Sequence, residues 1–283
     1  MHSSHPDTHD APHDASLIAF IGGGNMASAL IGGLLRQGHA RERILVVEPW
    51  AEARAALLRV HGIAALAEAG PALAQAGTVV WAVKPQTFRD AAAQAGPHTA
   101  KALHLSVAAG IRSDSIARWL GSERIVRCMP NTPALIGLGM SALYARPAVG
   151  AAERARVQAI MAPTGEFLWV EDEAQLDAVT ALSGSGPAYV FYFLEAMVRA
   201  GTAMGLSAAQ AHQLAVGTFA GAAQLAQRSD EPPAVLRERV TSKGGTTYAA
   251  LQCLEHHRVA EHFIEAMEAA RERARELGDE FGA

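Results

Sequence analysis

Short apolar runs alternate with amphipathic segments through the first part of the chain. Runs bounded by turn residues predict buried strands at residues 17–21, 44–47, 78–83, 103–107, 124–129, 140–144 and 167–170. Between them the pattern predicts helices, among them residues 29–35, 51–60, 113–120 and 151–161. Because alternating strands and helices build parallel sheets with right-handed crossovers, residues 17–172 are predicted to form a mostly parallel α/β domain.

The pattern changes at the acidic residues 171–173, beyond which no strand is predicted. Apolar positions at helical spacing predict helices at 176–182, 188–204, 248–254 and 259–277, and Ser207 is placed to cap another helix that ends near Arg228. Residues 183–187, SGSGP, are expected to break the first of these helices. An all-α domain is therefore predicted for residues 173–283, and its several apolar faces indicate contact with a second subunit.

Composition narrows the classes of function. The chain has 283 residues, half of them hydrophobic, and a formal net charge of −4, which argues against nucleic-acid or anionic-membrane partners. Its two cysteines lie far apart, outside any ligand spacing, so zinc and disulfides are not expected and a cytoplasmic location is favoured. No secretory signal is predicted, and the histidine-bearing residues 1–16 are expected to be a disordered tail without a functional metal site.

The first predicted strand leads into a glycine-rich turn, GGGNMA at residues 22–27, which opens a helix. Strand, G-x-G-x-x-A and helix in this order are typical of the dinucleotide-binding site of a Rossmann-like domain. Gly22 allows the tight turn, Gly24 lets a pyrophosphate approach the backbone, and Ala27 permits close helix–strand packing. Asn25 and Met26 complete this predicted cofactor site, with an ordinary turn as the alternative.

Other candidates follow the ends of later strands, where ligands of parallel sheets bind. Glu48 ends the second strand, and an acidic residue there is expected to bind a ribose 2′-hydroxyl and to favour NAD, although Arg54 could reach a 2′-phosphate. The alternative for Glu48 is a solvated strand end. Four cofactor-binding candidates follow the third strand: Ala82, Val83, Lys84 and Pro85. Lys84 could face phosphate or substrate, or be an ordinary surface lysine.

The strand end at residues 129–133, MPNTP, has two prolines around Asn131 and Thr132. Prolines fix the backbone and remove N–H donors, so a rigid, non-helical turn is predicted. The amide of Asn131 has both a donor and an acceptor, and it is expected to bind the carboxamide of a nicotinamide.

Residues 240–255, VTSKGGTTYAALQCLE, contain a second candidate site. Gly244 and Gly245 leave backbone N–H groups unobstructed where a helix is predicted to begin, and the positive end of the helix dipole favours an anion such as a carboxylate. The hydroxyls of Thr246 and Thr247 stand beside this anion site. An ordinary helix N-cap is the alternative interpretation.

Five sequence blocks together resemble the pyrroline-5-carboxylate reductase family: residues 20–30, 82–86, 129–140, 181–197 and 240–255. They follow the family's order, and the last is similar to its signature. The resemblance implies an N-terminal Rossmann-like domain joined to a helical dimerisation domain, in homodimers that often assemble into larger rings. It also implies reduction of the C=N bond of 1-pyrroline-5-carboxylate to L-proline, the last step of proline synthesis, mostly with NADPH and in several members with NADH. The preference for NADPH conflicts with the interpretation of Glu48 above.

The resemblance further implies roles for the loop before the helix predicted at 248–254. The substrate carboxylate is expected on the N–H groups of Gly244, Gly245 and Thr246. Thr247 is expected to hydrogen-bond the ring nitrogen and help to hold its proton, as the best candidate for a catalytic role, while Ser242 lines the same loop.

Two positions depart from the family's pattern. Lys243 stands where the signature has proline, which makes the loop less rigid and adds a charge, so altered substrate affinity or pH dependence is expected. Leu138 stands where an acidic residue is common.

Three alternatives remain open. A β-hydroxyacid dehydrogenase relative would have a catalytic lysine where this chain reads GSGPAYVFYF, residues 184–193, which contain no lysine. Another imine reductase, or a non-catalytic nucleotide-binding regulatory protein, is compatible with the same fold. The intact G-x-G-x-x-A and GGTT motifs argue against the non-catalytic alternative.

Overall fold

The structure, a computed structural model, describes residues 16–282. The predicted disordered tail lies outside the described residues, apart from Ser16. Seven strands are found in the described part: β1 (Leu17–Ile21), β2 (Ile44–Val47), β3 (Ala76–Trp81), β4 (Leu103–Ser106), β5 (Ile125–Met129), β6 (Gly139–Ala145) and β7 (Gly165–Trp169). They form one sheet in the order β2-β1-β3-β4-β5-β6-β7. Only the pair β5–β6 is antiparallel, so the predicted mostly parallel sheet is confirmed.

Helices pack on the sheet, and alternate residues of each strand point to opposite faces. The helices of this part are α1 (Asn25–Arg36), α2 (Ala51–His61), α3 (Pro85–Ala95), α4 (Ser113–Leu120), α5 (Ala151–Met161) and α6 (Gln175–Val179). Ile18 and Phe20 of β1 belong to one buried cluster, together with Leu30 of α1. Ala19 of β1 belongs to a second cluster, together with Phe88 of α3. The core therefore lies on both sides of the sheet.

The strand predicted at residues 78–83 is displaced in the structure. It is β3, Ala76–Trp81, so Ala82 and Val83 lie beyond its end. Helix α3 begins at Pro85, where a missing N–H is harmless because the first helical turn leaves its N–H groups without intrahelical acceptors. The last two candidates predicted to follow this strand, Lys84 and Pro85, therefore also start a helix.

The prediction of a non-helical turn at residues 129–133 is wrong. A 3-10 helix, Thr132–Ile136, begins inside that segment, with Asn131 as its N-cap residue. Pro133 lies in its first turn, where a fixed φ and a missing N–H are both tolerated. The N–H of Ala134 donates to Asn131 O at 3.1 Å, which closes this turn.

The contacts of the chain divide it into two compact units. The described residues of unit 1 are 16–184 and 271–282, and unit 2 comprises residues 185–270. Glu173 helps to explain why unit 1 extends beyond residue 172, because its Oε1 accepts hydrogen bonds from Arg127 Nη1 at 2.7 Å and Ser113 N at 2.6 Å. The predicted domain limits, 17–172 and 173–283, remain a prediction.

Unit 2 consists of helices and their connections: α7 (Gly186–Ala203), α8 (Ala208–Arg228), α9 (Pro233–Arg239), α10 (Thr246–His256) and the first part of α11 (Val259–Phe281). Ser207 caps α8 as predicted. Its Oγ accepts a hydrogen bond from Gln210 N at 3.2 Å, and its own N–H donates to Gln210 Oε1 at 3.0 Å. No strand is present in residues 173–282, so the predicted all-α C-terminal part is confirmed.

The break predicted at residues 183–187 is shorter in the structure. A π-helical segment, Thr180–Gly184, continues from α6, and α7 begins at Gly186, so only Ser185 separates them. Pro187 lies in the first turn of α7, as its missing N–H allows. Within residues 16–282, no helix has the length and apolar character needed to cross a membrane.

Candidate functional site

The glycine-rich turn joins β1 to α1 in unit 1. Gly22 has a φ of +95°, and a Cβ there would lie 2.5 Å from Ala82 O, so glycine is required. Gly24 is the N-cap residue of α1, and a Cβ there would meet no atom within 4 Å. Ala27 is fully buried in the cluster that includes β1. A tight turn, an open approach and close packing are what a pyrophosphate site needs, so the turn fits a dinucleotide.

Asn25, Met26 and Ala27 form the first turn of α1. Their N–H groups have no acceptor within the helix, whereas the N–H of Ser28 already donates to Gly24 O at 2.9 Å. This turn contains no acidic side chain. The helix dipole and the available donors therefore both favour a phosphate at this end of α1.

Glu48 is buried at the end of β2, and both of its carboxylate oxygens accept hydrogen bonds from the backbone. Oε2 accepts from Gly23 N at 2.7 Å, and Oε1 accepts from Trp50 N at 2.9 Å. Arg54 Nη1 donates to Glu48 O at 2.9 Å and to Pro49 O at 2.6 Å. The carboxylate expected on the ribose thus holds the glycine-rich turn, and Arg54 holds the adjoining backbone.

The residues after β3 adjoin the same turn. The N–H of Ala82 donates to Ile21 O at 2.8 Å, and Val83 follows in the connection to α3. Lys84 is the N-cap residue of α3, and its Nζ lies 6.0 Å from the centroid of the Trp50 ring.

Trp50 was not among the residues identified from the sequence. It is 68% exposed, directly after Glu48 and Pro49. The signal that could have found it is a large aromatic residue beside a predicted strand end, at the edge where a parallel sheet binds ligands.

Asn131 uses its amide within unit 1. Its Nδ2 donates to Ser183 O at 3.2 Å, and its Oδ1 accepts from Met140 N at 3.0 Å. The side chain therefore ties the 3-10 helix to β6 and to the π-helical segment. These bonds use one of the two Nδ2 N–H groups, and the expected contact with a carboxamide remains a prediction.

The loop of the second candidate site, residues 242–247, leads from α9 to α10 in unit 2. Gly244 has a φ of +75°, which favours glycine, and Gly245 is the N-cap residue of α10. The N–H of Gly245 donates to Ser242 O at 3.0 Å. One of the three N–H groups expected to hold a carboxylate is thus engaged within the loop itself.

The first turn of α10 supplies further donors. Thr246, Thr247 and Tyr248 occupy its first three positions, where N–H groups have no intrahelical acceptor, while the N–H of Ala249 already donates to Gly245 O at 3.1 Å. The side chains of both threonines are exposed, and no acidic residue lies in this turn. The N-terminus of α10 can therefore receive an anion, with two hydroxyl groups beside it.

The structure thus collects the cofactor candidates in unit 1 and the substrate candidates in unit 2. In unit 1 the glycine-rich turn, Glu48 and Lys84 follow the ends of β1, β2 and β3, which are neighbours in the sheet. In unit 2 the predicted residues form one continuous loop and helix start. Among residues 16–282, no three His, Cys, Asp or Glu side chains are grouped so as to hold a metal ion.

Comparison with protein families gives two matches. Residues 173–277 match the family described as pyrroline-5-carboxylate reductase dimerisation. Residues 17–110 match the family described as NADP oxidoreductase, coenzyme F420-dependent. The two matches fall on the helical C-terminal part and on the part that contains the glycine-rich turn.

Individual relatives resemble the chain over nearly its whole length. A pyrroline-5-carboxylate reductase of Pseudomonas aeruginosa is 44% identical over 267 residues, which cover 94% of this chain and 98% of the relative. The structure of a pyrroline-5-carboxylate reductase from Coxiella burnetii is 36% identical, with a TM-score of 0.86 over 93% of this chain and 99% of the other. A pyrroline carboxylate reductase of Plasmodium falciparum, solved with NADP bound, is 28% identical, with a TM-score of 0.83 over 93% of this chain and 98% of the other.

Proposed function

The chain belongs to the pyrroline-5-carboxylate reductase family and is an NAD(P)-dependent oxidoreductase, and we propose how its residues reduce 1-pyrroline-5-carboxylate to L-proline. The observation that carries the proposal is the 44% identity to the Pseudomonas aeruginosa reductase over 94% of this chain. Nothing in the comparisons favours a β-hydroxyacid dehydrogenase, another imine reductase or a non-catalytic nucleotide-binding protein.

The cofactor is proposed to bind at the first turn of α1. Gly22 and Gly24 keep the backbone open there, the N–H groups of Asn25 and Met26 hold the pyrophosphate, and Ala27 packs the helix against β1. Four residues border the site after β3: Ala82, Val83, Lys84 and Pro85. A nicotinamide held there would supply the hydride that the carbon of the substrate's C=N bond accepts. Asn131 is proposed to contact its carboxamide through the second Nδ2 N–H.

NADPH is proposed as the preferred cofactor, with NADH accepted. Glu48 is compatible with this preference because both of its oxygens already accept backbone N–H groups, which offset the charge of the carboxylate. Arg54 and Lys84 supply positive charge in the segments that follow β2 and β3. The NADP bound in the Plasmodium falciparum structure, a protein 28% identical to this chain, supports a nicotinamide dinucleotide as the cofactor.

The substrate carboxylate is proposed to bind at the N-terminus of α10. The N–H groups of Gly244 and Thr246 are proposed as donors; Gly245 shapes the turn, since its own N–H donates to Ser242 O. Thr247 is proposed to hydrogen-bond the ring nitrogen. A cyclic imine is basic enough to be protonated near neutral pH, so these residues need only orient the substrate and hold the proton on its nitrogen.

One assay tests both the reaction and the cofactor preference. The protein is mixed with 1-pyrroline-5-carboxylate and either NADPH or NADH, and the absorbance of the reduced nicotinamide is followed against a control without substrate. Absorbance is expected to fall with both cofactors, with the higher kcat/KM for NADPH. No substrate-dependent loss with either cofactor would refute the proposed reaction. A higher kcat/KM with NADH would refute only the preference and would return Glu48 to the role of ribose ligand.

A homodimer is proposed as the assembled form. The match of residues 173–277 to a dimerisation family supports it. Three consecutive residues of α7 leave large apolar side chains exposed in the single chain: Val190 is 38% exposed, Phe191 58% and Tyr192 68%. Exposed apolar side chains grouped on one helix are typical of a subunit contact. A larger homo-oligomer and a cytoplasmic location remain predictions.

A further inference from the structure

Trp50 is a large aromatic residue left 68% exposed at the sheet edge where parallel sheets bind ligands. Single exposed apolar residues are common on protein surfaces, so exposure alone assigns no role to it. The neighbours of Trp50 are more informative than its exposure. Trp50 follows the end of β2, its backbone N–H donates to the carboxylate of Glu48, and Lys84 Nζ lies 6.0 Å from the centroid of its ring.

Glu48 connects Trp50 to the glycine-rich turn. One carboxylate oxygen accepts the N–H of Gly23 at 2.7 Å, and the other accepts the N–H of Trp50 at 2.9 Å. A single buried side chain therefore fixes two backbone positions: the turn proposed to hold the pyrophosphate and the residue with the exposed ring. A fixed spacing between these positions suits one ligand that contacts both.

Lys84 approaches the ring of Trp50 from the connection between β3 and α3. Its Nζ is 6.0 Å from the ring centroid, the outer range of a cation–π interaction. Strands β2 and β3 lie on either side of β1 in the sheet, so Trp50 and Lys84 come from the segments that flank the glycine-rich turn. An aromatic ring beside a cation suits a nucleotide, whose base stacks and whose phosphates are negatively charged.

We propose that Trp50 is the platform on which the adenine of the dinucleotide stacks. This inference rests on the proposed nicotinamide-dependent function and deepens it by assigning the adenine end of the site. Stacking uses the face of the base and not the ribose, so the platform serves NADPH and NADH equally.

Calorimetric titration of the full-length protein with adenosine 2′,5′-bisphosphate tests the proposal, because this fragment has the adenine and lacks the nicotinamide. Trp50→Ala is expected to weaken its binding about 5- to 100-fold, and to weaken NADPH and NADH by the same factor. Trp50→Phe keeps an aromatic face and is expected to restore most of the affinity. Reduced nicotinamide mononucleotide, which lacks adenine, is expected to bind Trp50→Ala and the wild type alike.

Leu58→Ala is the matched control, since Leu58 is 55% exposed and lies on α2, the helix that Trp50 begins. It is expected to leave all four affinities unchanged. Wild-type affinity of Trp50→Ala for the adenosine fragment would overturn the proposal, as would an equal loss of affinity for the nicotinamide fragment. Binding is measured without turnover, so normal fragment binding with no reductase activity would contradict the proposed function and leave the adenine platform intact.

Discussion

Two glycines of the turn after β1 are required for different reasons, and paired substitutions separate these reasons. In Gly22→Ala the new Cβ lies 2.5 Å from Ala82 O at a φ of +95°, so the free energy of unfolding is expected to fall by about 2–3 kcal/mol. Gly24→Ala is expected to keep wild-type stability, because its φ of −73° suits alanine and its Cβ would meet no atom within 4 Å.

For NADPH affinity the two variants are expected to rank the other way, with the larger loss in Gly24→Ala. The methyl group of Gly24→Ala occupies the space open to a pyrophosphate, so NADPH binding is expected to weaken about tenfold. Urea unfolding and NADPH titration of the two variants check both expectations. A stability loss in Gly24→Ala as large as that in Gly22→Ala would contradict the assignment of an open approach.

Thr247 provides the hydroxyl proposed to act on the ring nitrogen. Thr247→Val removes this hydroxyl and keeps the branched shape, and it is expected to lower kcat/KM for 1-pyrroline-5-carboxylate about 10- to 100-fold. Thr247→Ser is expected to retain most of the activity because it keeps Oγ. Thr218→Val on α8 is the matched control, where the lost hydroxyl only donated to Leu214 O. Steady-state kinetics check the series, and wild-type kcat/KM in Thr247→Val would show that the assignment is wrong.

The roles of residues that follow from the spacing of a motif could be predicted from the sequence. Roles that depend on which hydrogen-bond partner a residue finds in the fold could not. Gly22 and Ala27 were assigned correctly to a tight turn and to packing, because G-x-G-x-x-A ties each position to one backbone requirement. The spacing says nothing about which N–H group a carboxylate accepts. The bonds from Gly23 and Trp50 to Glu48 therefore appeared only in the structure.

Strands β3 and β4 contain a polar pair within the core. Trp81 Nε1 donates to His104 Nδ1 at 3.1 Å, and both side chains are fully buried. Burial, with a smaller contribution from Arg124, lowers the pKa of His104 from 6.5 to about 4. Between pH 6.5 and pH 4 this histidine binds a proton in the unfolded chain, whereas it stays neutral in the folded chain. The free energy of unfolding is therefore expected to decrease by about 3 kcal/mol as the pH falls from 6.5 to 4.

Urea unfolding at intervals from pH 6.5 to 4 measures this dependence. His104→Asn keeps an acceptor for the Trp81 N–H and does not titrate in this range, so its stability is expected to vary less with pH. His212→Asn, at an exposed position of α8, is the control and is expected to keep the wild-type dependence. An unchanged pH dependence in His104→Asn would contradict the role given to this histidine.

The elements were predicted well where the apolar pattern is unbroken and less well where small residues or prolines start them. Strand β3 begins with Ala76 and Gly77, which are poor strand formers, yet Ala76 pairs with Leu17 of β1. The sequence pattern therefore placed the strand too late. Pro133 indicated a stop in the sequence, but its position in a first helical turn made it compatible with the 3-10 helix.

The exposed apolar side chains of α7 are proposed to become buried against a second subunit. Phe191→Glu places a charge among these side chains and is expected to weaken dimer formation at least about 100-fold, because a charge that loses water in an apolar contact is costly. Light scattering after size exclusion, over a range of protein concentrations, checks the mass. Leu58→Glu is the control, since Leu58 is 55% exposed in unit 1, and it is expected to keep the wild-type mass. A wild-type mass for Phe191→Glu at every concentration would contradict the proposed contact.

The class of the whole fold could be predicted because strand–helix alternation and its loss after residue 170 are visible in the apolar pattern. The division into compact units could not be predicted, because it depends on contacts between residues that lie far apart in the sequence. One is the bond of Glu173 to Arg127. Another is the approach of Gly110 to Leu277, whose Cβ would be 3.2 Å from a Cβ on the glycine. Neither contact produces a periodic pattern of apolar residues in the sequence.

The last turns of α11 belong to unit 1 although all of unit 2 precedes them in the chain. Arg112 Nη2 donates to Asp279 Oδ1 at 2.8 Å, and Ser115 Oγ donates to Gly282 O at 2.6 Å. These contacts join residues separated by a complete compact unit, so each of them closes a long loop at a cost in chain entropy. On a ribosome, the sheet of unit 1 can therefore form early, but the unit acquires its final helical turns only after unit 2 has been synthesised.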